Sequence, residues 1–276
     1  MKISVIIPAL NEAEGILAAL RSVQSQIGEF EILIVDGGSI DGTVEAVSSF
    51  ARVIRSERGR AVQMNAGARQ SSGEALLFLH ADSVLPPGTL RLLERALVDR
   101  RVVGGTFTLR FDSPKFLLRL IAFFSRFKFR YFHYGDQGIF VRRSVFQQLG
   151  GFREMPIMED LDFFQRLRRT GRVALIKQPL TTSGRRFLEN GILWQQLLNV
   201  VLVISYLLGA RPESLSTWYQ RTDCRPSKKE RTREFFSKPP GRVSKTVLAQ
   251  MSGWGAVSLR LFLKPRAWTS SKPSSK

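Results

Sequence analysis

The sequence predicts an α/β protein: a mostly parallel central sheet flanked by helices, with a basic, partly helical C-terminal extension. Three observations carry that prediction. Strand-like and helix-like blocks alternate from residue 3 onward, and repeated β-α-β units join parallel strands through right-handed crossovers. The blocks at 3–7, 32–35 and 75–79 are continuous apolar runs, as expected of strands covered on both faces. Turns rich in Asn, Asp, Gly or Pro follow these runs. A chain of 276 residues accommodates one such domain, placed at 1–210, and an appendage at 211–276.

The elements follow in order. After the strand at 3–7, Asn11 and Glu14 have the spacing of a capping box, opening a helix whose apolar stripe is Ile16, Leu17, Leu20 and Val23. The strand at 32–35 stops at Asp36, and Gly37, Gly38 and Gly42 make the turn into a helix carrying Val44, Val47 and Phe50. A short strand at 53–55, a helix at 61–70 and a strand at 75–79 come next, the last running into His80-Ala81-Asp82. Beyond Pro87 the pattern gives a helix at 90–98, strands at 105–111 and 139–141, a helix from Ser144 and another at 161–169. Residues 192–208 form an apolar helix carrying Gln195, Gln196 and Asn199. Seventeen residues with three amides read as a core or interfacial helix rather than a membrane span.

Composition narrows the function. A single cysteine, Cys224, excludes an intrachain disulfide framework, and two histidines argue against a multi-histidine zinc site. The N-terminal run MKISVIIPALNEAE reads as a buried strand, not a signal peptide, which points to the cytoplasm. The net charge is +19. Residues 1–210 hold 27 basic against 19 acidic side chains and residues 211–276 hold 15 against 4, so the extension is the more basic part. Such charge attracts nucleic acid, anionic lipid or phosphorylated substrates. No P-loop, helix-turn-helix, zinc-finger or ribonucleoprotein motif is present, so no specific nucleic-acid partner is expected.

In an open parallel sheet, ligands bind beyond the carboxyl ends of the strands. Those ends carry Pro8, Ala9 and Glu12, then Asp36, then Asp82. Carboxylates gathered there repel unless a cation or hydrogen-bond donors compensate. Asp82 is the candidate metal residue, since magnesium or manganese combines few protein carboxylates with substrate phosphates; equally, it could cap the turn before Pro86-Pro87. Asp36 could bind a base or ribose, or serve its own Asp-Gly-Gly turn. Arg58 and Arg60 flank Gly59 before a helix, a place suited to phosphate. Glu159-Asp160 opens the next candidate: acids favour a helix N-terminus, and a positioned carboxylate there also suits a general base.

Together the segments VIIPALNE (5–12), VDGGSIDGT (35–43), GRAVQMNAGA (59–68), LLFLHADSVLP (76–86), GDQGIFVRR (135–143) and MEDLDFFQRLRRTG (158–171) resemble a family 2 glycosyltransferase of GT-A, Rossmann-like fold. Within that family the GRAVQMNAG and HAD variants are similar to the bacterial rSAM/selenodomain-associated transferases. The resemblance implies an inverting, metal-dependent transfer of a sugar from a nucleotide diphosphate donor, with Mn2+ or Mg2+ as cofactor. It implies nucleotide-sugar contacts from Pro8, Ala9, Glu12, Asp36, Arg60, Asp82 and Arg186, and support of the turn by Asp41. It implies a metal ligand in Asp82 and a catalytic pair in Glu159 and Asp160, with Asp160 as the base. His80 stands where the family's first DxD aspartate would be, Gly38 stands where many relatives have a second aspartate, and Arg185-Arg186-Phe187 stands near the place of their Q-x-x-R-W motif.

Residues 111–132 hold seven of the twenty Phe, interleaved with Arg119, Arg126, Lys128 and Arg130. Aromatics and cations together suit a membrane-surface or lipid-acceptor face, and equally a partner site. The expected partners are therefore a nucleotide-diphosphate sugar and an unidentified acceptor, for which the Phe-rich face offers a lipid-linked or membrane-proximal molecule, with peripheral association on the inner face of an anionic membrane as the matching location. Two alternatives fit the same sequence. One is a non-catalytic membrane- or polyanion-binding protein on a degenerate transferase scaffold. The other is a sugar-phosphate nucleotidyltransferase, against which ALNEAE stands where a Gly-rich basic loop is needed.

Overall fold

The computed structural model describes residues 1–126 and 137–223; expectations for 127–136, including His133 and much of the Phe-rich segment, and for 224–276 lie outside them. Among the described residues seven strands form one sheet: β1 (Ile3–Ala9), β2 (Phe30–Asp36), β3 (Arg52–Arg55), β4 (Ala75–Phe78), β5 (Val102–Phe111), β6 (Ile139–Arg142) and β7 (Arg172–Thr182). Their order is β3-β2-β1-β4-β6-β5-β7. β1 pairs in parallel with β2 and β4, β2 with β3, and β5 with β7, while β6 runs antiparallel to both its neighbours. The helices are α1 (Ile16–Gln24), α2 (Thr43–Val47), α3 (Arg60–Gln70), α4 (Thr89–Ala96), α5 (Phe116–Phe124), α6 (Arg143–Gln148), α7 (Glu159–Thr170), α8 (Arg185–Asn190), α9 (Ile192–Leu207) and α10 (Pro212–Asp223). By its own contacts the chain divides between Ile204 and Ser205, near the end of α9.

The two-residue period of a strand sorts side chains onto the two faces. Ile3, Val5, Ile7 and Ala9 join a core with Ile16, Leu20 and Val23 of α1, Val47 of α2 and Leu90 and Leu93 of α4. Ile6, Leu33, Val35, Leu76 and Phe78 face the opposite core with Ala61, Met64 and Ala68 of α3, Phe146 of α6 and Phe163, Phe164 and Leu167 of α7. Each fully buried Leu, Ile or Phe contributes roughly 1.5–3 kcal/mol of transfer free energy. A third, smaller cluster joins Phe111, Leu118 and Ala122 to Phe187, with Ile192 against it, under α5 and α8.

Two expectations need correction. Asn11 does not cap α1: Gly15 is the N-cap, with no side-chain cap bond, and the Asn11 amide oxygen instead accepts the Ile40 N–H at 3.0 Å. α2 ends at Val47, leaving Phe50 exposed. β7 and α8 have no counterpart in the sequence reading. Pro179 sits inside β7, beyond a register shift between Phe107 and Thr108, on an edge strand where a missing N–H is tolerated. Among the described residues, no helix is long and apolar enough to cross a membrane.

Candidate active site

The parallel strands β1, β2 and β4 deliver their carboxyl ends to one edge of the sheet, with Ala9 opposite Asp36 and Ile6 opposite Phe78. The two loops leaving β1 and β2 are laced together by side chains. The Asn11 N–H donates to Ser39 Oγ (3.0 Å), the Glu12 N–H to Thr43 Oγ1 (2.9 Å) and the Ala13 N–H to Asp41 Oδ2 (3.1 Å). The Thr43 hydroxyl in turn donates to Asp41, which holds the Asp41 carboxyl below its ordinary range. Asp36, nearly fully buried, receives the N–H groups of Gly38 and Ser39 at 3.0–3.2 Å. Both its oxygens thus serve its own turn. Pro8 and Ala9 lie within β1, opposite Val35 and Asp36.

Around the end of β4 a second group assembles. The His80–Ser83 turn closes through the Ser83 N–H on the His80 carbonyl (3.1 Å), and Val84 then bridges Thr181 at the end of β7. From the end of β7 the chain passes through Ser183 and Gly184 into α8, whose first turn carries Arg185 and Arg186. The Ser83 hydroxyl lies 3.4 Å from Asp82 Oδ1. Half-buried Glu12 registers the whole group: its carboxyl is pushed up by burial and by the negative charge of Asp82, against the pull of Arg185, His80 and Arg186.

The third group lies at the start of α7. Glu159 is 1% exposed and forms an ion pair with Arg60 at the start of α3. Burial pushes the Glu159 carboxyl up, opposed by Arg60 and assisted by the charge of Asp160. Its Oε2 has no hydrogen-bond partner. Arg60, expected to touch phosphate, is thus engaged by a carboxylate 99 residues away. Asp160 is half-buried, its Oδ1 accepting the Leu161 N–H at 2.7 Å. The only two non-glycine residues with positive φ among those described are Asn11 (55°) and Met158 (70°). Asn11 lies just beyond β1 and Met158 is the N-cap of α7, and non-glycine backbone of this kind collects at functional sites.

α3 ties these groups together, a role the sequence reading missed. Gln63 is buried, and its side-chain amide donates to the Ala9 carbonyl (2.8 Å) and to the Val35 carbonyl (2.7 Å). One turn earlier Arg60 holds Glu159. Asn65 exchanges two hydrogen bonds with the backbone of Phe152 (2.8 and 2.9 Å). Gly67 lets the helix press onto the sheet, for a Cβ there would stand 2.5 Å from Ile6 Cγ2 and 2.9 Å from Val35 Cγ2. The GRAVQMNAG segment therefore clamps strand ends to the α7 terminus. Its glycine spacing was the available signal; nothing local pointed to the glutamine.

Among the described residues no three His, Cys, Asp or Glu side chains gather in a way that could hold a metal ion. The donor set still fits an ion shared with substrate phosphates, because magnesium and manganese need only one or two protein carboxylates in such sites. The mutual repulsion of Glu12 and Asp82 is the kind that a cation relieves.

The chain is similar to several known proteins. AglE, a glycosyltransferase of Haloferax volcanii, is 40% identical over 91 residues, covering 29% of this chain and 30% of that protein. A PGL/p-HBAD biosynthesis glycosyltransferase of Mycobacterium tuberculosis is 32% identical over 179 residues, covering 58% of this chain and 67% of that protein. An undecaprenyl-phosphate 4-deoxy-4-formamido-L-arabinose transferase of Pseudomonas aeruginosa is 33% identical over 125 residues, covering 40% and 37%. The chain therefore spans from about a third to two thirds of the length of these relatives. The solved mannosyltransferase PcManGT of Pyrobaculum calidifontis, in complex with GDP-Man and Mn2+, superposes with a TM-score of 0.57 at 20% identity, over 93% of this chain and 80% of that one. It shares the GT-A type of fold. The family model for glycosyl transferase family 2 matches residues 4–154, and the chain belongs to that family.

Proposed function

We propose that the protein transfers a sugar from a nucleotide diphosphate donor to a lipid-linked or membrane-proximal acceptor, with inversion at the anomeric carbon. The reading is supported by Glu12 in the field of Asp82, Arg185 and Arg186, and by the Arg60–Glu159 ion pair beside Asp160 at the start of α7, which α3 links through Gln63 to the ends of β1 and β2. The reading places the nucleoside on Pro8, Ala9, Glu12 and Asp36, with the diphosphate between Asp82 and Arg186. Asp36, its carboxylate occupied by Gly38 and Ser39, would shape the base-binding turn rather than grip the base with both oxygens. A divalent cation on Asp82 would supply charge neutralisation for the departing diphosphate.

Asp160 is the group for the proton. It would accept the acceptor hydroxyl's proton as that oxygen bonds to C1 and the C1–O bond to the diphosphate breaks, releasing nucleoside diphosphate. Glu159 acts through Asp160: anchored by Arg60, it fixes the first turn of α7. A lipid-linked acceptor is supported by the undecaprenyl-phosphate relative. The charge of residues 211–276, here taken as a basic extension of the domain at 1–210, favours a peripheral position on an anionic membrane.

The test is a thermal-shift panel of UDP-, GDP- and dTDP-sugars with and without manganese, on the wild type and on Asp82→Ala. One donor should raise Tm by mass action, and the variant should lose the manganese-dependent part of that rise. A variant that keeps it removes Asp82 from the metal.

A further inference from the structure

α5 has its polarity arranged the wrong way round for a helix of a freely soluble protein. At about 100° per residue, Leu118 and Ala122 form the seam that is buried against Phe187 and Phe111. The opposite side carries Phe123, Phe116, Leu120, Phe124 and Leu117 within an arc of roughly 120°. All five are exposed, Phe116 at 73% and Phe124 at 53%. Amphipathic helices ordinarily turn such an arc inward. Arg119 borders this arc, Lys115 and Arg126 stand at the two ends of the helix, and the Arg126 guanidinium lies 5.7 Å from the centre of the Phe123 ring. From residue 113 to residue 135 the sequence has five Lys or Arg and no acid.

We infer that this outward face of α5 docks on an anionic lipid surface, its aromatic and leucine side chains entering the headgroup boundary and its cations meeting the lipid phosphates. An apolar face bordered by cations is the signature of a helix lying in the interface plane, and the cations name an anionic surface as the occupant. Exposed Leu188 of α8 and Leu193 of α9 belong to the helices that share the small cluster beneath α5, and would widen the contact.

The position of this face connects it to the chemistry. The Gly184 N–H donates to Asp112 Oδ1 at 2.8 Å, and a Cβ on Gly184 would meet Leu118 Cδ1 at 3.1 Å. The next two residues are Arg185 and Arg186, whose charges act on Glu12. The seam of α5 thus packs beside the segment that carries the two arginines, and the lipid-facing arc lies on the other side of the same helix. This inference deepens the proposed function and rests on it for what the surface delivers; the docking itself is measured separately.

The experiment is co-sedimentation of the full chain with vesicles of phosphatidylcholine alone or mixed with phosphatidylglycerol, at low and high salt. Thermal melting checks folding, and the donor thermal shift is recorded alongside. Wild type should pellet with the anionic vesicles at low salt. Phe116→Ser with Leu120→Ser should weaken binding by about tenfold or more, and Arg119→Glu with Arg126→Glu by about fivefold or more per cation, both with the donor shift intact. Anionic binding unchanged in both double variants would assign it to the C-terminal basic residues and overturn the inference. A wild-type dimer that Phe116→Ser with Leu120→Ser converts to a monomer, without vesicle binding, would assign the face to self-association and overturn it too. Failure of the donor shift with vesicle binding intact would count against the transferase reading and not against the docking.

Discussion

Gln63→Leu removes the two hydrogen bonds that join α3 to the ends of β1 and β2 while keeping a similar side-chain volume. The Ala9 oxygen also accepts the Gly37 N–H at 3.0 Å, so that acceptor keeps a partner and its loss is an ordinary net bond of about 1 kcal/mol. The Val35 oxygen likewise keeps the Ala9 N–H of the parallel β1–β2 ladder, in which Ala9 stands opposite Asp36, so the loss of its shorter bond, 2.7 Å in a fully buried setting, is again about 1 kcal/mol. The sum expected is about 2 kcal/mol, or a fall in Tm of roughly 4–8 °C for a domain of this size. Urea unfolding followed by circular dichroism should show a lower midpoint with an unchanged slope. Because the two strand ends flank the proposed donor pocket, the donor KM should rise more than kcat falls. Gln63→Glu should do more damage than Leu at pH 7, since it sets a carboxylate against two carbonyl oxygens. A Leu variant within about 0.5 kcal/mol of wild type, with an unaltered donor KM, would refute the clamp.

Glu31, at the amino end of β2 and far from the strand ends of the site, receives Ser4 Oγ (2.6 Å), the Ser72 N–H (2.5 Å), Ser72 Oγ (3.0 Å) and the Gly73 N–H (3.2 Å) on one oxygen. Burial opposes its ionisation, but these bonds dominate and bring its pKa from 4.5 to about 2. Its stabilisation should be present above pH 4.5 and lost as pH falls toward 2, an effect of about 1–2 kcal/mol after solvent screening; Glu31→Gln should flatten that part of the pH–stability curve and leave turnover unchanged. Arg60→Met leaves Glu159 buried without its cation, raising its carboxyl pKa further. A raised carboxyl pKa loses stability as pH rises through it, so this variant should be penalised more at pH 8 than at pH 5. The neutral-pH cost should be about 2–4 kcal/mol, below a fully buried pair because the arginine side chain is 41% exposed. Denaturant unfolding at both pH values measures it, and an equal penalty at each would contradict the assignment.

The parallel half of the sheet was legible in the sequence because β1, β2 and β4 are buried on both faces and so read as unbroken apolar runs. β7 was not, because Pro179 and the irregular register around Lys177 and Gln178 erase any two-residue period. The Asn11–Glu14 spacing misled for a tertiary reason: the Asn11 amide bonds Ile40, 29 residues away, and a local pattern carries no trace of that. The carboxylates at strand ends were readable from the rule that ligands gather there. The engagement of Arg60 by Glu159, and of Gln63 by two strand carbonyls, depends on long-range packing. In isolation an arginine after glycine resembles a phosphate contact, and a glutamine within a helix resembles solvent-facing surface.

The most direct measurement is the release of nucleoside diphosphate by Asp160→Asn, with the donor that raises Tm in the wild type. The asparagine preserves shape but takes no proton, so turnover should fall at least about 100-fold while the donor-induced shift in Tm is retained. Turnover near the wild-type rate would contradict proton acceptance by Asp160 and with it the proposed catalytic role of the α7 terminus.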